Sequence, residues 1–225
     1  MPSYRHLLFA LLPLFAGCQV FIPEPAQPAS AATTSRLQGT ASLDNDQLLF
    51  TPCKEQRKFL LTGDQAAELS QQVSELAHSR LPLFADLNGD MQANKSKQLD
   101  GQIEVSRLYR LQSEEGRGCD DLNFARLLLR ANGHEPEWNI NVSSQGLVLE
   151  RMGQPALPLP YLEEQMPDGR FFLATEANGM TLTLWLNPTQ CTDSMTGAIQ
   201  HLSAELQIND EVMRGCAAFG AKRND

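Results

Sequence analysis

The chain has 225 residues, with 18 Lys+Arg against 27 Asp+Glu and a formal net charge of −9. An acidic chain with no Lys/Arg cluster excludes nucleic acid as a natural partner, because binding along phosphates needs basic patches. At 42% hydrophobic it can build a core, which excludes a disordered tail, and its length allows one large or two small domains.

The first element is a targeting segment. Arg5 and His6 precede an apolar stretch from Leu7 to Phe15, followed by the small residues Ala16 and Gly17 and then Cys18. That stretch is too short to span a bilayer stably. Leu14-Phe15-Ala16-Gly17-Cys18 resembles the lipobox of bacterial lipoproteins, with Phe15 where that family prefers Leu. The resemblance implies that residues 1–17 are a removed signal peptide and that Cys18 becomes the acylated first residue. Gln19 stands where Asp would mark inner-membrane retention, which implies a lipid anchor in the outer membrane, facing the periplasm. Residues 18–35 then read as the lipidated cysteine and a flexible tether, rich in Pro, Ala, Ser and Thr. Such a run reaches roughly 55 Å fully stretched, enough to hold a folded part clear of the bilayer.

Residues 36–116 read as a small β domain with one helix. Leu37–Leu43 and Gln47–Phe50 flank an Asp44-Asn45-Asp46 turn, a hairpin signal, and Lys58–Leu61 is a third strand. Thr62 and Gln65 suggest a capping box, and Ala66, Leu69, Val73 and Leu76 form the apolar stripe of a helix over Gln65–His78. Strands follow at Leu83–Leu87 and Gln102–Leu111. Three strands, a helix and two strands predict an OB-like small barrel.

Residues 117–220 read as an antiparallel β-barrel or sandwich, with 221–225 as a tail. Predicted strands are Leu127–Ala131, Trp138–Val142, Gly146–Glu150, Phe171–Ala174, Met180–Leu186 and Ala204–Ile208. Turns are expected at Asn132-Gly133, Pro167-Asp168-Gly169, Asn178-Gly179 and Asn209-Asp210. The fold class is therefore mainly β throughout.

With Cys18 acylated, Cys53, Cys119, Cys191 and Cys216 remain, an even number suited to an oxidising compartment. Three pairings are open. Cys191–Cys216 is favoured, since both border apolar runs in one segment, which leaves Cys53–Cys119. No C-x-x-C spacing and no zinc spacing occurs, and no metal or cofactor is expected.

Gly133-His-Glu-Pro-Glu-Trp138, Cys191-Thr-Asp-Ser-Met-Thr-Gly197 and Arg214-Gly-Cys216 resemble a family of uncharacterised envelope lipoproteins. Its members carry a "GNEPFW"-like box, then "C-x-D-x-M-S-G", then "G-C". His134 and Glu137 depart from the first box. The N-terminal segment is loosely similar to the barrel domains of the envelope-stress lipoprotein NlpE, without their C-x-x-C pairs.

Several constellations look chemical and have plainer readings. His134, Glu135 and Glu137 flank Pro136, and a turn leading Trp138 into the core accounts for them. Asp86-Leu-Asn-Gly-Asp90 starts like a calcium loop, but Met91 and Lys97 stand where an EF-hand needs Gly and Glu, so a turn at Asn88-Gly89 is expected. Ser194 has no nucleophile elbow around it; Asp193, Ser194 and Thr196 are expected to bond backbone groups in a tight loop. No catalytic set emerges, so the expected function is non-enzymatic: a lipid-anchored binding or structural module with an envelope protein as partner. The alternative is an inhibitor or stress-sensor module for a peptidoglycan-acting enzyme or lysozyme. Trp138, Glu135 and Tyr161, the last ending a Pro-rich strip from Pro155, are the candidate ligand or partner surface.

Overall fold

A computed structural model describes residues 34–76, 83–113, 118–177 and 179–223. The signal peptide, Cys18 and the tether through residue 33 lie outside the described residues. Residues 33–225 form one compact unit.

The barrel begins with β1 (Ser35–Asp44) and β2 (Gln47–Pro52), a hairpin closed by Asn45 and Asp46. Both central residues have positive φ, 47° and 62°, the twist that suits two-residue hairpins and that Asn and Asp tolerate. β3 (Phe59–Thr62) pairs with β2. The helix α1 (Asp64–Leu76) then crosses to β4 (Leu83–Gln92), and β5 (Gly101–Ser113) follows. β1 pairs with β4, β4 with β5, and β3 with β5 in parallel, so five strands close on themselves in the OB-like order. Phe50, Phe59, Leu61, Leu87 and Ile103 fill the interior, and α1 packs Ala66, Leu69 and Val73 onto it.

Two local expectations are corrected here. Thr62 is the last residue of β3, and its hydroxyl donates to the Ile103 carbonyl at 3.3 Å rather than capping α1. Asn88-Gly89 is no turn: both lie inside β4, opposite Arg107 and Val105, with register shifts on either side of Leu87–Asn88. A Cβ at Gly89 would come within 2.4 Å of Ile103 Cγ2, so glycine serves close strand approach there. Long-range pairing outweighs the dipeptide's turn preference.

The second sheet takes β6 (Leu129–His134), β7 (Glu137–Ser143), β8 (Gly146–Arg151), β9 (Leu157–Leu159), β10 (Leu162–Gln165), β11 (Phe171–Ala177), β12 (Met180–Asn187), β15 (Leu202–Ile208) and β16 (Glu211–Phe219). Its order is β10-β11-β12-β15-β16-β6-β7-β8-β9, all antiparallel. The two edge strands are consecutive in the chain, separated by Pro160 and Tyr161. The sheet therefore curls into a half-barrel until one segment hands over from β8 to β11. Alternate residues such as Leu182, Leu184 and Leu186 are fully buried on its concave face. Asn132-Gly133, expected as a turn, sits inside β6 opposite Asn139 and Trp138; the chain reverses at Glu135-Pro136.

Between β12 and β15 a two-stranded ribbon, β13 (Cys191–Thr192) and β14 (Ile199–Gln200), leaves the half-barrel and joins β5 of the barrel. β5 serves both cores: Ile103, Val105 and Leu111 face the barrel, while Tyr109 is fully buried with the half-barrel residues. Two disulfides, Cys53–Cys119 and Cys191–Cys216, staple the fold in the favoured pairing.

Candidate functional site

The site grows from Trp138. Its indole is 1% exposed and lies against two glycines. A Cβ at Gly133 would fall 2.4 Å from Trp138 Nε1, and one at Gly215 would fall 2.9 Å from Cζ2 and 1.9 Å from the Asn132 carbonyl. Only backbone fits there. Trp138 is thus chiefly a packing residue, and it stands in the lining of the cleft described below with very little surface of its own. Among the described residues Nε1 has no hydrogen-bond partner.

The Cys191–Cys216 bridge holds the 191–197 loop over this indole. Asp193 Oδ1 accepts from the amides of Met195 (3.0 Å) and Thr196 (2.9 Å), and the Thr196 hydroxyl accepts from the Ala198 amide at 3.2 Å. The tight loop expected from the sequence is formed this way. Gly197, at φ 70°, closes it by donating to the Asp193 carbonyl.

Asp193 Oδ2 carries a second job. It accepts from Asn132 Nδ2 at 2.9 Å and meets His134 Nε2 at 2.7 Å, while Gln200 Nε2 donates to Asn132 Oδ1 at 3.1 Å. Burial pushes the Asp193 carboxyl up, but the Thr196 amide, His134, the Thr196 hydroxyl and the Met195 amide outweigh it and hold its pKa at about 2. The result is an ionised, almost buried carboxylate linking β6, the 191–197 loop and β14.

Around this network lies a cleft of about 630 Å³. Asn132, His134, Asp193 and Gln200 form one wall, and Glu150 and Arg151 face it from β8. Met152, 74% exposed, stands at its β8 side. The three sequence blocks, 133–138, 191–197 and 214–216, are therefore neighbours in space. Glu135 is exposed in the hairpin turn, and Tyr161 is half-buried at the β9–β10 junction; neither lines this cleft. Burial and then Glu163 raise the Tyr161 phenol above its usual pKa.

Asn132 and Gln200 escaped the sequence reading, because lone amides carry no motif and their contacts span 61 and 68 residues. His134 and Asp193 were visible singly, within separate blocks. His134 and Asp193 have the geometry of a base and its orienting carboxylate. Among the described residues the His134 imidazole makes no other hydrogen bond. Among the same residues no group of three or more His, Cys, Asp or Glu could hold a metal ion.

Comparison with protein-family models, with curated proteins and with solved structures finds no match. The class is defined by architecture: a mainly β protein in which an OB-like barrel carries a curled antiparallel half-barrel. Among the described residues no helix is long and apolar enough to cross a membrane.

Proposed function

We propose that this chain is a lipid-anchored envelope protein that binds a partner rather than catalysing a reaction. The anchor is Cys18 in its lipobox-like setting, the membrane is the outer membrane, and the folded unit faces the periplasm beyond the tether. Two disulfides support an oxidising compartment. The observation that carries the binding role is a polar cleft lined by the 133–138 and 191–197 blocks, with Gly215 and Cys216 of the third block packed behind it against Trp138 and Cys191. The cleft's polar wall is held rigid by the Asp193 network, and exposed Met152, an adaptable contact residue, lines it as well. An envelope protein segment is the expected occupant.

Two measurements test this. Wild-type chain should fractionate with the outer membrane and Cys18→Ser with the soluble periplasm; a Cys18→Ser form that stays wholly with membranes after a high-salt wash overturns the anchor. A photo-crosslinker at position 152 should trap a discrete envelope partner, and Asp193→Ala should abolish that adduct. An adduct unchanged by Asp193→Ala removes the cleft from the binding role.

A further inference from the structure

A second cleft, of about 540 Å³, opens between β5 and the turn that leads into β11. In a chain of net charge −9, three of its lining side chains are arginines: Arg107 from β5, Arg170 before β11 and Arg223 after β16. Among the described residues no carboxylate lines it, and Leu108, Met166 and Pro188 give it an apolar side.

The arginines are differently prepared. Arg223 is fixed in place: its guanidinium stacks on Phe171 at 4.4 Å and Phe219 at 4.6 Å, and it pairs with Glu163 at 2.8 Å. The segment that carries it is tied down by Arg36, which donates to the carbonyls of Phe219, Gly220 and Arg223. Arg170 pairs with Asp168 at 2.7 Å, but both side chains are about half exposed. Such a pair contributes little, so Arg170 can turn to a better acceptor. Arg107 is exposed on the barrel side. Asp168 and Glu163 offset part of this charge, and His201 stands in the same wall. Its pKa falls to about 4, first through burial, against the Tyr109 carbonyl, with Arg36, Arg107 and Arg223 lowering it further.

We propose that this cleft binds an oxyanion, phosphate or carboxylate, borne on a short apolar group. The guanidinium forks match the geometry of an oxyanion head, and Leu108, Met166 and Pro188 take the apolar part. The site is separate from the Asp193 cleft: Gln200 lines that one, and its neighbour His201 lines this one. It does not depend on the lipid anchor.

The test is calorimetric titration of the full chain with hexyl phosphate, beside inorganic phosphate and hexyl glucoside. Hexyl phosphate should bind saturably and more tightly than inorganic phosphate, while hexyl glucoside should not bind. The double variant Arg107→Gln/Arg170→Gln, changed only at exposed positions, should keep its thermal midpoint and weaken hexyl phosphate at least about tenfold. Absent binding, or equal affinity in the double variant, overturns the proposal. Equal affinity for hexyl phosphate and inorganic phosphate overturns its apolar half and reassigns the cleft to a free oxyanion.

Discussion

At the residue scale, Asp193 concentrates the most consequence in one side chain. Burial alone would make its carboxyl a weaker acid, but four hydrogen bonds reverse the sign and bring it from 3.8 to about 2. A carboxyl with a depressed folded-state pKa stabilises the fold fully above its unfolded value, and that stabilisation disappears as pH falls through about 2. Allowing for solvent screening at the open side of the loop, the contribution at neutral pH is about 1–2 kcal/mol. Asp193→Asn should therefore lower the urea midpoint at pH 7 and match wild type near pH 2. A gap of equal size at both pH values would show that lost packing, not ionisation, is responsible. Trp138 is the other decisive residue, and its role was legible: a lone Trp beside a turn signal points into a core. What was not legible is why Gly133 and Gly215 flank it, because the close approaches that require them involve strands far apart in the chain.

At the element scale, sequence periodicity located α1 and most strands, since alternation and a three-to-four spacing report which face is buried. It failed where pairing partners decide. Asn88-Gly89 and Asn132-Gly133 carry turn chemistry, yet each is held extended by a ladder on one or both sides. β16 was missed because Gly215, Cys216, Ala217 and Ala218 lack the bulky alternation of a strand. β13 and β14 are two residues each and exist only because β5 and the Cys191–Cys216 bridge hold them. That dependence is measurable. The bridge spans 25 residues of sequence, for which loop closure contributes about 3.5 kcal/mol. Cys191→Ser/Cys216→Ser should lose about that much in urea unfolding. Amide exchange at Asp193 and Gly197, whose hydrogen bonds close the loop, should accelerate more than exchange in β11 or β12. Uniform acceleration across the half-barrel would mean that the bridge acts on global stability and does not hold the loop in particular.

At the scale of the whole molecule, the barrel and the last residues of the chain are joined through Arg36. Its guanidinium grips fully buried Asp86 at 2.8 and 2.7 Å, lies 4.2 Å from the Tyr109 ring, and donates to three carbonyls between Phe219 and Arg223. Contacts 50 and 184 residues away meet on one side chain. Removing one partner of a buried ion pair strands the other, which typically costs about 3–5 kcal/mol. Nearby Arg110, buried between the rings of Phe84 and Phe124, still offers Asp86 some compensation, so Arg36→Met belongs at the lower end of that range. Arg36→Met/Asp86→Leu should recover part of the loss, because Asp86 is no longer stranded, while buried Arg110 loses the carboxylate that favours its charge. The terminal segment has its own ladder, Gly220 to Leu128, Ala221 to Phe124 and Lys222 to Leu127, so hydrogen exchange at these three amides separates two explanations. If Arg36 is the clasp, their protection falls in both variants even where the double variant regains global stability. If protection returns with stability, the ladder holds the segment, and Arg36 serves only to neutralise Asp86.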